Sequence, residues 1–106
     1  SVLSAAAESG VLLVRNSATN PTVASASSIA IPFEPDAVFI SGTTTINTIT
    51  GVWPGRRVTL VFTGACTVTD SASIQLAGSF TSTANDTLTL IAMSDGVLYE
   101  TGRSVN

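Results

Sequence analysis

Histidine and lysine are absent from this chain, and cysteine occurs once. Without an imidazole, neither a Ser/His/Asp nor a Cys/His set can be assembled for nucleophilic catalysis. With only one thiol besides, zinc and most transition-metal sites lose their usual ligands, and no disulfide can close within the chain. Cys66 lies in the alternating stretch ACTVT and is expected to be a small buried hydrophobe. Charge is equally scarce, at 10% of residues where soluble domains carry about 25%. All four basic residues are arginines, and they face seven acids for a net charge of −3. A nucleic-acid binder needs a basic footprint to neutralise phosphates, so that class is set aside. No apolar run reaches the roughly 18 residues of a membrane span, so no membrane insertion is expected. The opening SVLSAAAESGVLLV lacks a basic leader and is interrupted by Glu8, which argues against a signal peptide. Because the chain starts at Ser1 without methionine, further protein upstream is expected.

What the sequence does have is hydroxyls and aliphatics: 14 serines, 16 threonines and a 44% hydrophobic content, with a mean hydropathy of +0.47. A chain of 106 residues has room for one domain. Its charged skin is thin for so apolar a composition, so part of the surface is expected to be buried against identical neighbours.

Threonine or serine alternates with β-branched or aromatic residues along most of the chain, the period of a half-buried strand. The pattern is densest from Phe39 to Leu76. Residues 1–10 lack it and read as an arm or a short helical turn. Val11–Val14 is a first apolar run, and Val23–Ile31 alternates as one strand closed by Pro32 and Pro35. RVTLVFT at 57–63 places Val58, Leu60 and Phe62 on one face. TLTLIAM and VLYET, joined across Ser94-Asp95-Gly96, form the clearest unit, because an Asp-Gly pair supplies the positive φ that a tight hairpin needs. Strand alternation sets Leu88, Leu90 and Ala92 against Ile91 and Met93. Both faces are apolar at the turn end, so enclosure on both sides is expected, with a neighbouring subunit supplying one of them. Leu88, Leu90, Ile91, Met93 and Tyr99 are accordingly the candidate oligomer contacts.

FISGTTTI and FTGACTV each run phenylalanine, glycine turn, threonine, β-branched residue, and their phenylalanines stand 23 positions apart. That spacing is near one coil of a solenoid. The expected class is all-β, with short strands joined by Gly and Asp turns. It is either β-solenoid-like or a β-sandwich, assembled as an intertwined or side-by-side homotrimer. Residues 1–36 form an N-terminal arm with connecting strands and 37–106 the β-rich module, one domain in all.

Chemistry is thinly represented. Asp70, Asp86 and Asp95 lie in separate turns without a calcium-loop spacing, and aspartate in a turn ordinarily bonds backbone. No metal site and no cofactor is expected. Glycoside hydrolysis would need two carboxylates about 5 to 10 Å apart, for which Glu34 with Asp36 or Asp86 with Glu100 are the available pairs. Trp53, in a Pro/Gly loop beside Arg56 and Arg57, is the candidate ligand site. An indole face stacks on a sugar ring, and guanidinium groups serve hydroxyls or carboxylates. The plainer alternative has the ring capping a small core or a subunit contact, with the arginines paired to acids across that contact.

From Val38 to Ser104 the chain resembles a module near the C-termini of tail fibres, tailspikes and related appendage proteins of tailed bacteriophages. The resemblance rests on the order ISGTTTINTI, a loop, RRVTLVFTGACTVTDSASIQLAG, a small-polar segment, NDTLTLIAMSDG and the ending VLYETGRS. Where the family pattern often has tryptophan near the end, this chain has Tyr99. The resemblance implies a homotrimer following a β-helix or fibre shaft. Catalytic residues of depolymerising tailspikes lie in the shaft, so none carries over. The function it implies is a non-catalytic structural domain serving trimerisation, shaft capping and attachment to a bacterial surface polysaccharide. Its place would be the virion's tail appendage, acting at the bacterial cell surface. The alternatives are a depolymerase domain working through carboxylates, or a monomeric carbohydrate-binding module using Trp53.

Overall fold

A computed structural model describes residues 20–106. The arm at residues 1–10 and the run Val11–Val14 lie outside the described residues. The rest is all-β, with no helix among the described residues, and it winds as stacked coils. β1 (Thr22–Ala24) and β2 (Ser28–Ala30) form the first coil, and β3 (Ala37–Ser41) and β4 (Thr48–Thr50) the second. β5 (Arg57–Phe62) and β6 (Thr67–Val68) begin the third. Successive coils pair in parallel, Val23 beside Ile40 beside Phe62 on one wall and Ile29 beside Ile49 on the other. A solenoid, not a sandwich, is the outcome.

The stretch 23–31 is therefore not one strand. It turns a corner at residues 25–27 between β1 and β2, and the first coil, from Thr22 on, stacks directly on the second. A polar ladder holds that corner. Asn47 donates from Nδ2 to Ser27 Oγ at 3.2 Å and accepts on Oδ1 from Thr69 Oγ1 at 2.8 Å, so one side chain from each coil satisfies the next. Nor do the two phenylalanines spaced by 23 occupy equivalent places. The register pairs Ile40 with Phe62 and Phe39 with Val61, a repeat of 22 that also joins Ile46 to Val68. Phe62 points into the core against Phe80, with ring centroids 5.4 Å apart, while Phe39 points out.

The stack ends in a different geometry. After β7 (Ile74–Gln75) and β8 (Phe80–Thr81), the hairpin of β9 (Thr87–Ser94) and β10 (Val97–Ser104) lies antiparallel along β5. One sheet results, in the order β1-β3-β5-β9-β10-β7. Its inner face holds Val38, Leu60, Leu88, Leu90, Ala92 and Leu98, all essentially without solvent. Cys66 is buried in the same interior and donates from Sγ to the Thr44 carbonyl at 3.3 Å. Burial pushes its thiol pKa up, so it stays protonated.

Candidate functional site

Two loops that close successive coils meet at one corner. The first, residues 31–36, follows β2; the second, residues 51–56, follows β4. Gly51 opens the second loop at φ 81°, where any Cβ would meet the Ile31 carbonyl oxygen at 2.5 Å, so only glycine allows the loops to approach this closely. Trp53 then begins a tight turn in which the Arg56 amide donates to the Trp53 carbonyl at 3.0 Å. The hairpin secures the same loop, for Asp95 Oδ1 accepts the Gly51 and Val52 amides at 3.0 and 3.3 Å.

Arg56 lies beneath this corner, 3% exposed. Its Nε donates to Asp36 Oδ1 at 2.9 Å, Nη1 to the Gly51 carbonyl at 2.7 Å, and Nη2 to the Pro32 and Phe33 carbonyls at 2.7 and 3.1 Å. The planar fork thus satisfies carbonyls that the irregular loops cannot pair with backbone. Its carbon Cζ stands 4.4 Å from the centre of the Trp53 ring, a cation–π contact. Above lies Phe33, its ring centroid 5.5 Å from that of Trp53 with the planes open by 37°. Phe33 is 78% exposed and Trp53 42%.

Of the three residues expected to bind a ligand, Trp53 is exposed at this corner, Arg56 is buried beneath it and Arg57 lies elsewhere. The donors of Arg56 are spent inside the chain, and its acid partner is Asp36 of the same chain rather than one across a contact. Arg57 is exposed on the other face of β5, beside Ile91. Phe33 was missed from the sequence. Its signal is arithmetic: the register of β2 and β4 sets Ile29 beside Ile49, and the same offset carries Phe33 onto Trp53 and Asp36 onto Arg56.

The outer face of the large sheet is a second candidate surface. Leu88 and Leu90 are fully enclosed in the chain's own core and contact no solvent. Ile91 is half-buried, whereas Met93 at 56% and Tyr99 at 44% are exposed. Arg57, Ile91, Tyr99 and Gln75 form one row across four strands, and Phe39, Val61 and Thr87 another. Between them Thr59 and Thr89 bring their hydroxyls to 3.3 Å. Arg57 is the single charged side chain in these rows. A shallow groove of about 420 Å³ lies at the edge of this face, lined by Gln75, Leu76, Tyr99 and Glu100.

Of the carboxylates proposed as acid pairs, Asp36, Asp86 and Glu100 are committed elsewhere, and Glu34 is exposed. Asp86 is fully buried and accepts the Asn106 amide at 2.7 Å, the Thr83 amide at 2.8 Å and the Thr83 hydroxyl at 3.1 Å. These donors, the Asn106 amide foremost, hold its pKa below the usual carboxylate value. Glu100 grips Arg103 through two hydrogen bonds of 2.7 and 2.8 Å, and that contact lowers its pKa in turn. Asp70 Oδ1 accepts the Leu76 amide at 3.0 Å. Among the described residues no three histidine, cysteine, aspartate or glutamate side chains converge on a point that could hold a metal ion. No protein-family model, curated protein or solved structure matches the chain.

Proposed function

We propose that this chain is a non-catalytic structural domain of a bacteriophage tail fibre or tailspike, which trimerises, closes the end of a β-solenoid shaft and meets the bacterial surface from the virion. The observation that carries this reading is the change of geometry along the stack. Parallel coils give way to the antiparallel β9–β10 hairpin, and beyond it the sheet ends on β7, an edge strand of two residues paired with β10. At the opposite end, among the described residues, β1 pairs only with β3. A terminal cap has this polarity, since stacked repeats need an atypical end unit to stop propagation.

Two further features support it. The outer face, with one charge and three exposed apolar side chains, suits burial against identical copies. Each described carboxylate except Glu34 accepts a hydrogen bond from backbone or arginine, which suits a scaffold better than acid–base chemistry. One preparation tests the reading against its alternatives. Native mass spectrometry should give three times the 10.8 kDa chain mass, and incubation with bacterial capsule or lipopolysaccharide should release no reducing ends. A 10.8 kDa species would favour a monomeric binding module. Sugar release abolished by changing one carboxylate would favour a depolymerase.

A further inference from the structure

We infer that Phe33 and Trp53 form a two-rung aromatic trough that takes neutral sugar units of a surface polysaccharide, an inference that rests on the host-surface role proposed above. Two large rings left open at a loop corner cost solvation, and here neither is loosely placed. Both loops are fixed from below by one arginine that bonds the Phe33, Pro32 and Gly51 carbonyls. Trp53 has one face against that guanidinium and the tilted Phe33 ring beside the other, and 42% of the residue stays open to a partner. Because the rings belong to equivalent places in adjacent coils, their separation of 5.5 Å follows the coil spacing, and the trough runs along the stack. A preorganised aromatic surface of this kind matches the C–H face of a pyranose and loses little entropy when it binds.

Electrostatics selects the class of sugar. The positive charge of Arg56 is met by Asp36 and by carbonyl oxygens, all within the chain. Among the described residues, the charged side chains these two loops leave exposed are Glu34 and the outer part of the Asp36 carboxylate, 65% exposed. These groups accept hydrogen bonds from sugar hydroxyls and repel carboxylated or phosphorylated sugars. Arg57, the nearest other cation in sequence, belongs to the opposite face of its strand.

Trp53 is the sole tryptophan, so intrinsic emission reports on this site alone. The assembled protein is titrated with a soluble glucan, a mannan and a galactan, and with polygalacturonate as the acidic counterpart. At least one neutral polysaccharide should shift the emission saturably, and polygalacturonate should not. Phe33→Ala leaves the carbonyl that Arg56 uses in place, and it should weaken that binding about tenfold without altering sedimentation. The inference is overturned if no neutral polysaccharide moves the emission, if polygalacturonate binds as well, or if Phe33→Ala binds unchanged. It is also overturned if acrylamide fails to quench Trp53 in the sugar-free assembly, for the corner would then be a subunit contact. Sedimentation in the same samples reports on trimerisation separately, so loss of one claim is distinguishable from loss of the other.

Discussion

Arg56 and Arg103 do the same local work at two ends of the molecule and support different things. Each bonds a carboxylate and at least one loop carbonyl, and each sets its guanidinium over an aromatic ring, Trp53 at 4.4 Å and Phe80 at 5.0 Å. Arg56 is buried beneath an exposed ring, whereas Arg103 lies on the outside and covers a buried one. The buried arginine is a strut for a surface feature; the exposed one is a lid on the core. Burial decides how much each contributes, because an inaccessible guanidinium leaves unsatisfied carbonyls behind when removed, while water can replace an exposed one.

Arg56→Ala should separate the two arginines most strongly. Its removal should cost about 3 to 5 kcal/mol in chemical denaturation, because the Gly51, Pro32 and Phe33 carbonyls lose their donor at about 1 to 3 kcal/mol each, and it should shift Trp53 emission to the red. Arg56→Lys should recover little of that loss, since an ammonium cannot reach several carbonyls in one plane. Full rescue by lysine would mean that charge alone matters here. Arg103→Ala should cost less, about 1 to 2 kcal/mol, with Trp53 emission unchanged. Equal losses at the two sites would erase the distinction between strut and lid.

The smallest effect is a pH dependence that belongs to the hairpin end. Arg103 lowers the Glu100 pKa from its ordinary 4.5, and the Asn106 and Thr83 donors lower that of Asp86 from 3.8. Folded-state values below the unfolded ones mean that this stability is fully present above those ordinary values and is lost as pH falls through the depressed ones. Thermal melts should therefore decline below pH 4.5, and less steeply in Arg103→Ala, where Glu100 has lost its partner. Melts that fall with the same slope in both proteins would remove Glu100 from the account.

The hairpin was legible to the residue pattern because its information is local: alternation gives the faces, and Asp95-Gly96 gives the turn. The inward and outward assignments of Leu88, Leu90, Ala92, Ile91 and Met93 followed from period two alone. Corners and registers are not local. Val23–Ile31 alternates through its bend because serine suits both a strand's outer face and a turn, so nothing in its composition marks residues 25–27. The coil repeat was located one residue out because phenylalanine invites alignment with phenylalanine, whereas the solenoid matches inward positions and sets Ile40 on Phe62. The arginine pair Arg56-Arg57 looked like a double cation on a loop. Strand alternation sends one in and one out, and only the neighbouring coil's carbonyls show why the inner one is tolerated. Phe33, flanked by prolines, carried no signal until the offset between β2 and β4 was known.

The outer sheet face is the surface through which three copies are proposed to meet. Sedimentation velocity on the wild-type chain and on Ile91→Asp, with circular dichroism on the same samples, tests it. Ile91 sits half-buried in the row between Arg57 and Tyr99, so a carboxylate there would place a charge in the middle of the contact while leaving the core of Leu88 and Leu90 intact. The wild-type chain should sediment at three times 10.8 kDa, and the variant at the mass of one chain with an unchanged β spectrum. The same mass for both proteins, whether trimer or monomer, would contradict it.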